Sequence, residues 1–109
     1  MPNYMVQWRY ESSAVKGMVD KPEDREESIK PVIEAFGGEL LGYYFCFGDY
    51  DGMALLDMPD NEAIAALIVN TFKEGALSNI KTTVLFTSNE SVQIMERAAI
   101  QSGYVAPNE

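Results

Sequence analysis

Apolar and polar positions alternate from Tyr4 to Tyr10. Tyr4, Val6, Trp8 and Tyr10 fall on one side of an extended chain and Met5, Gln7 and Arg9 on the other, which predicts a first strand with a strongly aromatic face. Ser12 or Ser13 offers a cap for a short helix through Met18. Pro22, Glu23 and Asp24 begin a second helical segment, in which Ile29, Val32, Ile33 and Phe36 recur at i, i+3, i+4 and i+7 until Gly37-Gly38 ends it, with Pro31 a candidate bend. Residues 39–47 form a nearly continuous apolar and aromatic strand. After Gly48-Asp49-Tyr50-Asp51-Gly52 a further strand runs from Met53 to Met58, so the junction reads as a hairpin. Pro59 closes that strand, Asp60 or Asn61 caps the next helix, and Ile64, Leu67, Ile68 and Phe72 supply its buried stripe before Gly75. A β-branched run from about Ser78 to Phe86 predicts the fourth strand. Thr87-Ser88-Asn89-Glu90 then matches the capping box of a C-terminal helix at about 88–103, with Val92, Met95 and Ala99 as a modest apolar face. Ala106 to Glu109 read as a frayed end.

The order β, α, β, β, α, β, α is the ferredoxin-like split βαβ arrangement with one added helix: an α+β fold with a four-stranded antiparallel sheet. Residues 1–109 are expected to form one domain, its core at about 4–86. Helices can cover only one face of the sheet, yet the strands at 40–47 and 53–58 are apolar at consecutive positions, so the second face also needs cover. A partner sheet packed face to face would supply it, pairing two chains into a dimeric α/β barrel. A chain of 109 residues buries only about 60 to 70% of its unfolded surface, which makes a subunit interface useful.

Composition narrows the chemistry. Eight Lys and Arg against seventeen Asp and Glu leave a net charge of −9, which repels phosphate backbones and anionic membranes, so neither nucleic acid nor membrane is an expected partner. No apolar run approaches the roughly 18 residues of a membrane span. Met1-Pro2-Asn3-Tyr4 has no basic or apolar leader, and the expected location is the cytoplasm. The single cysteine, Cys46, lies in the apolar run Tyr43 to Phe47 and is read as a packing residue rather than a reactive thiol. The chain contains no histidine. Ser-His-Asp and Cys-His catalysis are therefore excluded, and no metal or other cofactor is expected.

Three segments carry a family likeness. Gly37-Gly38-Glu39-Leu40, Phe47-Gly48-Asp49-Tyr50-Asp51 and Met58-Pro59-Asp60-Asn61-Glu62-Ala63 together resemble the GYD domain family, over roughly residues 4–86. The resemblance implies the dimeric α/β-barrel superfamily, in agreement with the dimer argued from the two-sided strands. That superfamily includes monooxygenase-like, isomerase-like, dehalogenase-like and haem-degrading proteins, so the fold selects no reaction. Haem-degrading relatives use histidine, which this chain lacks.

Candidate site residues fall in three groups. Asp49, Tyr50 and Asp51 place two carboxylates and a phenol in one loop, a set that could bind a cation or share acid-base work, while Gly, Asp and Tyr there are also what a β-turn asks for. Gln7 and Arg9 lie on the first strand and Asp57 on the third, its neighbour in this topology. Arg9 could hold a substrate carboxylate with Tyr43 or Asp57 moving a proton, or Arg9 and Asp57 could form a structural salt bridge. Trp8 and Tyr43, with Tyr4, Tyr10, Tyr44, Phe45 and Phe47, could make a flat pocket for a ring-shaped ligand or simply pack as core. Two functional readings follow. One is a homo-oligomer binding a small planar or aromatic metabolite, with or without cofactor-independent turnover. The other is an assembly module whose interior is filled by side chains.

Overall fold

The computed structural model describes residues 1–100 and 103–107. The elements are β1 (Asn3–Tyr10), α1 (Ser12–Asp20), α2 (Arg25–Ala35), β2 (Glu39–Phe45), β3 (Gly52–Asp57), α3 (Asn61–Phe72), β4 (Leu77–Leu85) and α4 (Ser88–Ile100). The four strands form one antiparallel sheet in the order β2-β3-β1-β4, the ferredoxin-like arrangement. Residues 101–102 of the expected α4 and 108–109 of the expected frayed end lie outside the described residues, and Gly103, at φ 118°, is not helical.

Period-two patterning decides which side of the sheet is dry. Tyr4, Val6 and Trp8 of β1 and Ala54 and Leu56 of β3 are buried together with Met58, Ile33 of α2, and Ile64 and Leu67 of α3. The odd-numbered neighbours Met5, Gln7, Met53 and Leu55 alternate onto the opposite face and stay partly accessible. On that side and along the β2 edge, Tyr44, Phe45 and Phe47 are 56%, 73% and 90% exposed. The need for cover inferred from the sequence is thus a feature of the folded chain.

Local chemistry fixes the element ends. Asp24 accepts from the Glu26 N–H at 3.0 Å and Asp60 from the Ala63 N–H at 2.8 Å, capping α2 and α3. The Tyr4 hydroxyl donates to Asn61 Oδ1 at 2.6 Å, tying β1 to the start of α3. At the end of α2, Gly37 N–H donates to the Glu34 carbonyl and Gly38 N–H to that of Ile33, a Schellman closure that places Gly37 at φ 84°. Thr87 and Glu90 form the reciprocal capping box: the Thr87 N–H donates to Glu90 Oε1 at 2.8 Å and the Glu90 N–H to Thr87 Oγ1 at 3.1 Å.

Two expectations are corrected. Neither Ser12 nor Ser13 caps α1. Glu11 occupies the cap position in extended conformation without a side-chain bond, and the helix continues past Met18 to Asp20. Phe72 is 55% exposed instead of buried. At roughly 100° per residue, the stripe set by Ile64 and Leu67 continues through Thr71, and Phe72 falls on the shoulder. The modest apolar face of α4 is exposed, with no residue of that helix buried among the described residues. The molecule is correspondingly elongated, 59 × 32 × 22 Å, with a radius of gyration of 17.7 Å, against about 13 Å for a compact chain of ~100 residues.

Candidate functional site

The helix-covered face is not filled throughout. At the Tyr10 end of β1, α1 and the first turn of α2 stand away from the sheet and leave a partly open cavity of about 590 Å³. The strands contribute Trp8, Tyr10 and Tyr43 to it. The helices contribute Met18 and Gly17 from α1, Val32 from α2 and Ile68 from α3, and Lys21, Glu23, Arg25 and Glu74 supply the charged groups. Its size lies within the roughly 300 to 1,000 Å³ typical of small-molecule sites.

The aromatic groups are held in fixed relation. Trp8 and Tyr43 have ring centroids 5.4 Å apart at a 42° tilt, and Trp8 meets Tyr10 edge-on at 6.2 Å. The indole lies across Gly52, where a Cβ would overlap it, so Gly52 is the seat that lets Trp8 lie flat on β3. Trp8 Nε1 is buried with no hydrogen-bond partner among the described residues, a deficit of about 1–3 kcal/mol for a desolvated donor. The Tyr10 and Tyr43 hydroxyls lie 3.0 Å apart. Burial, reinforced by Tyr10, pushes the Tyr43 phenol well above its ordinary 10.0, and the Arg25 guanidinium beside it opposes that shift. Tyr43 is therefore a neutral phenol near pH 7, suited to hydrogen bonding and ill suited to act as a base.

Of the residues singled out by sequence, Trp8 and Tyr43 meet in this cavity. Arg9 does not join them, because its strand position alternates to the opposite face. Arg9 Nη1 donates to the carbonyls of Asp49 (3.0 Å) and Gly48 (3.3 Å), and Nη2 stands 4.0 Å from Asp51 Oδ1. Asp51 in turn accepts from the Tyr10 N–H through Oδ2 at 3.0 Å and donates its own N–H to the Trp8 carbonyl at 2.8 Å. The loop is thereby stitched to the end of β1, which is the turn chemistry weighed from the sequence. Asp49 and Tyr50 border a shallow depression shared with Asn79, Ile80 and Lys81. The Cys46 thiol donates to the Tyr50 carbonyl at 3.4 Å.

Arg9 and Asp57 are not partners. β1 and β3 are neighbours as expected, but the antiparallel register sets Asp57 opposite Asn3, whose amide donates to its carboxylate, and Trp8 opposite Gly52. Asn3 and Arg9 sit near opposite ends of β1, roughly 20 Å apart along the strand. Arg25 was missed by sequence reasoning, since Asp20 to Glu27 reads as a solvated acidic helix start. The one available signal was that Lys21 and Arg25 are the only cations in that stretch. Among the described residues no cluster of three or more His, Cys, Asp or Glu side chains is placed to hold a metal ion, and no helix is long and apolar enough to cross a membrane.

The GYD domain profile matches residues 4–95, and the chain belongs to the GYD domain family. No curated protein sequence matches it significantly. Among solved structures, it is similar to MtbAldR, with a TM-score of 0.57 and 20% identity over 80% of this chain and 54% of that one. It is also similar to TTHA0845 from Thermus thermophilus, with a TM-score of 0.52 and 17% identity over 81% and 96% of the two chains. The chain spans about half the length of MtbAldR. At these identities the likeness shows the ferredoxin-like α+β fold alone.

Proposed function

We propose that this GYD-domain protein is a cytoplasmic homodimer that binds a small planar or aromatic metabolite in the cavity between its sheet and helices. The observation that carries this reading is the cavity of about 590 Å³, whose floor is the Trp8, Tyr10 and Tyr43 cluster with paired hydroxyls at one point. Apolar walls with a few convergent polar groups are the usual make-up of a ligand pocket, and an interior packed solid by side chains would leave no such volume. The uncovered sheet face, with Tyr44 exposed, supports a second copy packed against it, which closes two sheets into a barrel and leaves both cavities on the outside. A single unpaired cysteine fits a reducing compartment.

Gly17 provides a test that leaves the core alone. It lines the cavity, and a Cβ there would meet nothing within 4 Å, so Gly17→Phe places a ring into the open volume from a helix that tolerates it. Native mass spectrometry of gently purified protein is expected to show a dimer carrying a reproducible small adduct, and Gly17→Phe a dimer without it. A wild-type protein that never retains a ligand would favour the assembly reading, and a monomer would remove the barrel.

A further inference from the structure

The polar groups of the cavity are not scattered. Tyr10 and Tyr43 touch through their hydroxyls, and Arg25 lines the same cavity with them. Two phenols in mutual contact hold two O–H hydrogens, of which their shared bond uses one, so the pair keeps one donor for a third partner. Arg25 has five N–H donors. One nitrogen, Nη1, is engaged by Glu23 Oε1 at 2.7 Å in a half-exposed pair, leaving donors free. The other carboxylate at the cavity, Glu74, stands 3.9 Å from Lys73 Nζ. The Thr71 hydroxyl, also lining the space, donates to the Ile68 carbonyl at 3.0 Å and is satisfied. What remains for a ligand at the Tyr10–Tyr43 end is an excess of donors over acceptors, with a fixed positive charge among them, and beside them stands the indole of Trp8.

We propose that the cavity takes a small planar monocarboxylate, its ring against Trp8 and its carboxylate received by the Tyr10–Tyr43 hydroxyls and Arg25. This assignment rests on the pocket reading above and specifies the ligand's charge. A neutral planar molecule would leave the guanidinium's free donors unmatched, whereas a carboxylate accepts from a guanidinium and a phenol together through charge-assisted bonds. Tyr43, held neutral by its burial, donates to such an anion without repelling it. The chain as a whole carries −9 and repels anions at long range, so selectivity has to come from this local cluster. Raising the ionic strength should therefore speed association by screening the distant charge, even as it weakens the local contact.

The experiment compares trans-cinnamate with its neutral isostere cinnamamide, titrated by calorimetry and by the fluorescence of Trp8, the only tryptophan in the chain. Wild type is expected to bind cinnamate at least about tenfold more tightly than cinnamamide, the size of one charge-assisted hydrogen bond. Arg25→Gln should abolish that preference while leaving cinnamamide affinity in place, Arg25→Lys should restore part of it, and Tyr10→Phe should reduce it. Equal binding of the two probes, unchanged in Arg25→Gln, would overturn the carboxylate assignment and leave the pocket standing. Binding of neither probe, or binding unaffected by Gly17→Phe, would overturn the assignment and the pocket beneath it. Among the described residues the one ion pair of Arg25 is with half-exposed Glu23, so its variants are expected to keep the wild-type circular dichroism, which is checked first.

Discussion

Leu55 and Leu56 are consecutive residues of β3 with opposite circumstances. Leu56 is 2% exposed beneath the helices, whereas Leu55 lies on the opposite face and stays partly accessible, with no helix over it among the described residues. The helix-covered face shows what this sequence can bury alone, and the bare face shows what it leaves to a second copy. Their chemistry differs accordingly. The covered face closes tightly around Tyr4 and Met58 and opens toward the Tyr10 end. The bare face mixes Met5, Met53, Leu55 and Tyr44 with Gln7, Arg9 and Asp57 along the same strands, a mixture more usual at subunit contacts than in a core.

The largest effects separate the two faces directly. Leu56→Ala should cost about 2–5 kcal/mol of stability in chemical denaturation, from lost burial and the cavity left behind. Leu55→Asp should instead lower the molar mass measured by light scattering to that of a monomer while the far-ultraviolet circular dichroism stays near wild type. An unchanged mass in Leu55→Asp would show that the bare face is not the subunit contact. Next comes Gly52→Ala, which forces the indole of Trp8 off β3. An overpacking cost of about 1–3 kcal/mol is expected, together with a shift of Trp8 emission toward that of a solvated indole.

A smaller effect reads the covered face through pH. The Tyr43 phenol titrates near 10.0 in the unfolded chain and higher in the folded one. Between those values the unfolded state has lost a proton that the folded state keeps, so rising pH favours unfolding. The stability tied to this group is therefore complete below about pH 10 and is lost above it. Denaturation midpoints should fall from there upward in wild type and less steeply in Tyr43→Phe. The smallest effect belongs to α4, which neither face engages. Bonds from Thr87 hold the Glu90 carboxyl below its ordinary 4.5, so the cap is intact above that pH and fails as pH falls through the lowered value. Thr87→Ala should speed amide exchange at Glu90 and Ser91 without changing global stability.

The fold was legible because its signals are local. Alternation in β1, the glycine pair after α2, Asp60 before α3 and the Thr87–Glu90 box each act over a few residues, and each is found in place. What sequence could not supply was register. Arg9 and Asp57 do share a face, yet the position at which β1 meets β3 puts them at opposite ends of it, and no feature within either strand encodes that offset. The site was legible in the same proportion. Trp8, Tyr10 and Tyr43 follow from the aromatic pattern. Arg25 enters the cavity only because α2 begins over the Tyr43 end of the sheet, a matter of tertiary placement. Phe72 shows the complementary error, in which a stripe extended by one residue too many crosses from the core to the shoulder of its helix.

The end of the sheet remote from the cavity sets a limit on how this protein can change. There the α2–β2 and β3–α3 connections nest without spare room: a Cβ at Gly38 would stand 2.7 Å from the Asp57 carbonyl oxygen, and one at Gly37 3.0 Å from the Pro59 ring. Inserted or bulkier residues at that end would disturb two connections at once. The loops at the cavity end are less closely nested: a Cβ at Gly48 or Gly75 would meet nothing within 4 Å, although both hold a positive φ, 150° and 77°. Descendants of this chain should therefore diverge in length and sequence at the mouth while the far end stays nearly constant, and new ligand preferences would be acquired where lengthening is free.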